Sequence, residues 1–177
     1  MATPVGTTYS LVKRSLIQIL QATSELSEVA VNYDAPVQAE DVTGATGLLE
    51  SIYYADTDPA HLRATSIEGE HKNKVICRLP LEIDEEYEIP LAIVVVKPEE
   101  GTQEEADERV DQIMFHVIKA VAQQPSLGVV GPSHPEIKYV MATRFKFLRT
   151  AGVYGPGRGS GITMKLVVEA RIQYVTL

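Results

Sequence analysis

The sequence predicts an α+β fold: a mostly antiparallel sheet with two main amphipathic helices packed on it, plus a long C-terminal β-hairpin. Three observations carry that expectation. Two stretches repeat their apolar residues at helical spacing, and several others alternate or run apolar over a strand's length. The last two strand-like stretches are joined by the glycine-rich "GVYGPGRGSG" of residues 152–161.

Tyr9, Val12, Leu16, Ile19 and Leu20 form one stripe, with Lys13, Arg14, Gln18 and Gln21 on the other side, so residues 8–22 make the first amphipathic helix. Thr7 or Thr8 is placed to cap it, and "ATSELSE" ends it. In "EVAVNYDAP", Val29, Val31 and Tyr33 alternate onto one face, a short strand that Asp34-Ala35-Pro36 breaks. Residues 37–47 are polar and glycine-bearing and read as a loop; "LLESIYYAD" reads as a second strand. The stretch "TDPAHLRATSIEGEHKN" carries no clear period and is left unassigned.

From Lys74 the pattern sharpens. Val75, Cys77, Leu79, Leu81 and Ile83 alternate with Ile76, Arg78, Pro80 and Glu82, a strand whose proline points to an edge or a bend. An acidic turn, "DEE", is expected to lead into "YEIPLAIVVV", whose apolar run suits a strand buried on both faces near the middle of a sheet. The two make a β-hairpin. The clearest helix follows: Thr102 and Glu105 form a T-x-x-E capping box, and Glu104, Glu105 and Asp107 put negative charge in the first turn. Ala106, Val110, Ile113, Met114, Val117, Ile118 and Val121 make its apolar stripe, which ends near Gln123-Gln124-Pro125 and must lie across the sheet. After the turn-rich "PSLGVVGPSHP" come "IKYVMATRFKFLR" and "ITMKLVVEARIQYV", an antiparallel ribbon. Its tip of about ten residues, 152–161, is expected to be mobile and poorly packed in an isolated subunit and to gain contacts on assembly.

The 177 residues suit a single domain, 1–177, and 45% apolar with 23% charged residues is the profile of a soluble globular protein. One cysteine, Cys77, excludes an intrachain disulfide and a Cys-based zinc cage within one chain. The first residues lack a charged region followed by an apolar signal core, and no apolar run approaches the ~18 residues of a membrane span, so an untargeted protein made in the cytosol is expected. The net charge of −8 hides a division: residues 1–137 hold 9 Lys and Arg against 23 Asp and Glu, whereas 138–177 hold 7 against 1. An acidic body with a basic C-terminal segment fits nucleic-acid contact, head-to-tail pairing of copies, or basic residues that merely face solvent.

The glycines do not make a phosphate cradle. A Walker A loop needs a lysine and a hydroxyl directly after its last glycine, but Ile162 follows Gly161 and Lys165 lies inside a strand. A dinucleotide fingerprint opens a helix, whereas Gly155, Gly157 and Gly159 are spaced by two and a strand follows. His61, His71, His116 and His134 are scattered rather than spaced as metal ligands, and His116 reads as helix-flank packing. No G-x-S-x-G elbow is present, Cys77 has no local activating partner, and the carboxylates of "EIDEEYE" and "PEEGTQEEADE" read as solvated turns and a helix N-terminus. No catalytic, cofactor-binding or metal residue is assigned. The cations of the ribbon and its tip, Arg144, Lys146, Arg149 and Arg158, are the candidate subunit or partner contacts.

The order of elements then becomes informative. An N-terminal amphipathic helix, "VAVNYDAP", "EEYEIPLAIVVVKP", a helix opening "EEADERVDQIM" and ending "KAVAQQPSLG", and a closing "KLVVEARIQYV" together resemble the tail terminator proteins of long-tailed bacteriophages. The resemblance implies a small structural protein without catalytic residues. It would assemble in the host cytoplasm into a homo-oligomer, a hexameric ring of the virion's tail and neck. The ring would stop addition of tail tube protein and meet a head-side connector protein, with DNA passing through the lumen without specific binding and with no membrane contact. The sequence departs from that arrangement in 55–74 and in its long glycine tip. Two other classes stay open at this point: another neck component such as a head-closure protein, and a small nucleotide-binding enzyme using the glycine tip.

Overall fold

The computed structural model describes residues 6–34, 49–55, 72–76, 81–97, 101–154 and 157–174, with backbone alone at 49, 72–73, 76, 150–154 and 157–158. The elements are α1 (Tyr9–Ala22), a 3₁₀ turn (Ser24–Leu26), β1 (Ala30–Val31), β2 (Leu49–Tyr54), β3 (Lys72–Ile76), β4 (Leu81–Lys97), α2 (Gln103–Gln123), β5 (Ile137–Tyr154) and β6 (Gly157–Tyr174). The sheet runs β1-β2-β4-β6-β5, and β3 pairs with β4 off that path. Among the described strand pairs, β1–β2 alone is parallel. The protein is therefore α+β: two helices on a mixed, mostly antiparallel six-stranded sheet.

Strand parity decides which side of the sheet is core. Tyr87, Ile89, Leu91, Ile93 and Val95 of β4 join Ile162, Met164, Leu166, Val168 and Ala170 of β6 in one buried cluster. The helices supply Val12, Leu16, Ile17 and Leu20 from α1 and Ala106, Val110, Ile113, Val117, Ala120 and Val121 from α2. Each such Val, Leu or Ile contributes roughly 1.5–3 kcal/mol when fully buried, so α2 is held to the sheet by its stripe far more than by helix propensity. As expected from its apolar run, β4 lies mid-sheet, and Ile89–Ile93 is buried on both faces.

Polar anchors fix the helix ends. Thr102 caps α2 by accepting from Glu105 N–H at 3.1 Å, and the Glu105 carboxylate accepts from Thr102 N–H at 2.9 Å, the predicted capping box. At the start of α1 the Thr7 hydroxyl accepts from Tyr9 N–H at 3.3 Å, whereas Thr8 makes no side-chain cap. Its N–H and hydroxyl both donate to Glu85 Oε2, at 2.8 and 2.6 Å, and the hydroxyl lies 2.8 Å from Tyr87 Oη. A carboxylate from β4 thus sits at the positive end of α1. Across the core, Arg109 of α2 grips Glu50 of β2 with Nε and Nη2 at 2.8 and 2.6 Å, and Lys119 reaches Glu25 of the 3₁₀ turn at 2.7 Å.

Three expectations are corrected. "DEE" is not a turn: Asp84, Glu85 and Glu86 lie inside β4, paired with Lys74, Asn73 and Lys72 of β3 and with Arg171, Ala170 and Glu169 of β6. β3 and β4 are antiparallel neighbours, and residues 77–80 of the expected strand lie outside the described residues. Similarly, 152–161 is not a ten-residue loop. The ladder continues to Tyr154↔Gly157, and Arg158, Gly159, Ser160 and Gly161 also pair with Lys97, Val96, Val95 and Val94 of β4. The first strand is also shorter than "EVAVNYDAP" suggested, β1 being two residues long. Val29 and Val31 are buried, and Tyr33 instead meets Tyr54 edge-on with centroids 5.1 Å apart.

Candidate subunit interface

Among the described residues β5 is an outer strand whose one strand partner is β6; on its other side Ala142 N–H donates to Pro125 O at 2.8 Å, so the open edge is the stretch beyond Ala142. Its ladder is interrupted between Ile137 and Tyr139 and between Ala142 and Arg144, leaving Lys138 and Thr143 as extra residues. Val140 and Ala142 oppose the core residues Ala170 and Val168; beyond the second interruption Phe145, Phe147 and Arg149 oppose Leu166, Met164 and Ile162 on that same helix-bearing side. Tyr139, Met141, Arg144, Lys146 and Leu148 consequently face the side of the sheet away from α1 and α2, the helix-free side among the described residues.

Large apolar side chains stand exposed on both sides of this edge. Leu148 is 65% exposed and Met141 51% on the helix-free side, and Phe147 is 54% exposed on the other, stacked on Phe145 with centroids 6.5 Å apart. On α2, Phe115 is 61% exposed, one helical turn beyond Asp111, the partner of Arg149. An exposed strand edge flanked by apolar residues is a surface for another polypeptide.

The basic residues of the ribbon are mostly engaged within the subunit. Arg144 lies 3.8 Å from Glu86, Lys146 and Lys165 both bind Glu88, the latter at 3.1 Å, and Arg171 holds Asp84 at 2.5 and 3.1 Å. Arg149, on the opposite side, pairs with Asp111 of α2. Hydrogen bonds from Arg171 hold the Asp84 carboxyl below its ordinary range. Burial pushes Glu88 up, but Lys146 and Lys165 together outweigh it and hold that carboxyl low. The charge division seen along the chain thus largely closes on itself: β4 supplies the anions and the β5–β6 ribbon the cations of one cross-strand ladder.

Of the four candidate contacts, then, the fold brings Arg144 and Lys146 together on the helix-free side and places Arg149 on the other. Arg158 pairs by backbone with Val153 and Lys97, and its side chain lies outside the described residues. Sequence reasoning missed the roles of Lys165 and Arg171 and the exposure of Met141, Phe147 and Leu148. The available signal was "MATRFKFL", whose apolar residues occupy both phases of a strand, more than one buried face requires.

The glycine segment has a packing role. Gly159 and Ser160 are buried beneath the first turns of α2, where Gln103 Nε2 donates to Gly159 O at 3.0 Å. The Ser160 hydroxyl beside Asp107, with Gln103, holds that carboxyl low. Glycines paired on both sides within a sheet offer no backbone cradle to a phosphate. Among the described residues no group of His, Cys, Asp or Glu is placed to hold a metal ion, and no helix is long and apolar enough to cross a membrane. His116 packs its ring edge on Phe115 at 5.6 Å, and His134 Nδ1 lies 3.3 Å from Glu136; His61, His71 and Cys77 lie outside the described residues.

No family model matches this chain, and no curated protein matches it. Among solved structures it is similar to a chain from the virion of a native gene transfer agent particle, at 15% identity over 96% of this chain and 99% of that one, with a TM-score of 0.44. It is also similar to the PVC sheath/tube terminator, in its extended state, of an extracellular contractile injection system, at 12% identity over 99% of this chain and 62% of that one, with a TM-score of 0.32. At these identities and TM-scores neither likeness carries an argument about function.

Proposed function

We propose that the chain is a structural tail terminator of a phage-like particle. Copies close into a hexameric ring on the end of the tail tube, stop its growth and present a surface to the head-side connector, while DNA passes through the lumen without specific binding. The observation that carries this function is the open edge of β5, with Leu148, Phe147 and Met141 exposed along it. Such a surface favours association with protein, and among the described residues the internal pairing of Arg144, Lys146, Lys165 and Arg171 leaves the helix-free side with little free positive charge to hold a phosphate backbone. The order of helices and strands quoted above, which resembles tail terminators, supplies the choice of particle.

Native mass spectrometry over a range of protein concentrations, with negative-stain images of tails assembled with and without the protein, tests this. The wild-type protein is expected as a ring, and tails made without it as tubes of irregular length. Phe147→Ser combined with Leu148→Ser is expected to give a folded monomer that leaves tails unterminated. A wild-type protein that stays monomeric, or tails of normal length in its absence, overturns the proposal.

A further inference from the structure

A cavity of about 370 Å³ opens between the exposed side of α1 and the loop that leads from α2 into β5. Leu11, Val129 and Val130 give it an apolar wall, and Arg14, Gln18 and Ser133 bring polar groups. It is built rather than incidental. Leu127, at φ 53°, and Gly128, at φ 64°, both adopt the left-handed region, Leu127 is fully buried, and the Ser15 hydroxyl donates to Leu127 O. The loop is thereby pinned to α1 with the cavity already formed. His134, at the rim, turns Nδ1 toward Glu136, so the cation serving the cavity is Arg14. Arg14 is exposed and, unlike Arg109, Arg144, Arg149 and Arg171, has no carboxylate partner among the described residues.

We infer that this cavity receives the acidic first turns of α2 from a second copy of the chain, with Arg14 bridging Glu104 and Glu108 of that copy. This rests on the ring proposed above and names one of its contacts. Glu104 and Glu108 stand one helical turn apart, exposed and without a cation partner among the described residues. Within the subunit the two like charges, one turn apart, repel each other. A guanidinium offers planar donors that two neighbouring carboxylates can share, and the apolar wall accepts their methylene stems. Position agrees with head-to-tail assembly. The loop that lines the cavity follows the C-terminal end of α2, whereas Glu104 and Glu108 lie in its N-terminal turns, and this 21-residue helix is about 30 Å long at 1.5 Å per residue. Two different surfaces at opposite ends of one helix are what a heterologous contact uses.

The experiment is a charge exchange, read by native mass spectrometry and sedimentation with circular dichroism as the check on folding. Arg14→Glu alone, and Glu104→Lys with Glu108→Lys alone, are each expected to raise the concentration needed for assembly by about tenfold or more. Combining all three changes in one chain is expected to restore it. Assembly of Arg14→Glu at the wild-type concentration overturns the inference and leaves the ring standing. Loss without rescue in the combined variant overturns it as well, because the partner is then not this acidic turn. A wild-type protein that stays monomeric overturns both the inference and the ring.

Discussion

Arg109 and Glu50 show what a single pair can hold. The Glu50 side chain is 5% exposed and Arg109 26%, and the bidentate grip raises the arginine's pKa while joining α2 to β2. Removing one partner of a buried pair costs about 3–5 kcal/mol, and the partial exposure of Arg109 puts this one lower. Arg109→Met is therefore expected to destabilise the protein by about 2–3 kcal/mol, read from the urea midpoint at constant m. Arg109→Met with Glu50→Leu is expected to recover most of that loss, since no carboxylate is then left buried alone. Nothing in the chain announced this pair, whose members lie 59 residues apart. Thr8 was legible only as a cap, because its true acceptor, Glu85, is 77 residues away.

At the scale of elements, local signals were legible where the structure uses local bonds. The α2 capping box spans four residues and forms as written in the sequence. Thr102→Ala is expected to cost about 1 kcal/mol, with a lower thermal midpoint and an unchanged sheet signature by circular dichroism. The apolar stripes of both helices were equally legible, since periodicity reports burial directly. The failures have one cause. "DEE" and "GVYGPGRGSG" look like loops by composition, yet each is held extended by neighbours distant in the chain: Asp84 and Glu86 by Arg171 and Arg144, Gly159 and Ser160 by β4, β5 and the start of α2. Propensity describes an isolated segment, and a central strand is not one. The open edge of β5 was hidden for the same reason, because strand order is a non-local fact.

For the whole molecule, the consequence of the acidic β4 and the basic ribbon is a definite response to acid. Asp84 and Glu88 titrate below their ordinary values, and Glu25, held by Lys119, is lowered to about 2. A carboxyl lowered in the folded state contributes stability that is fully present above its unfolded pKa and lost as pH falls through the folded one. Stability is therefore expected to hold down to about pH 5 and to decline below it toward pH 2, measured as the urea midpoint at each pH. Asp84→Asn is expected to flatten that decline while lowering the plateau at neutral pH. A midpoint that did not change between pH 5 and pH 2 would show that the ladder contributes nothing.

The two interruptions in β5 also set a length. Where an extra residue bulges, the backbone turns its donors and acceptors away from any straight neighbour, so the edge from Ile137 to Thr143 is a poor template. Beyond Arg144 the ladder is regular to Tyr154. An incoming strand can therefore run in register from the hairpin end as far as Arg144 and no further. In the proposed ring, Thr143 is the stop on a ruler that fixes how deeply a neighbouring copy slides along this edge.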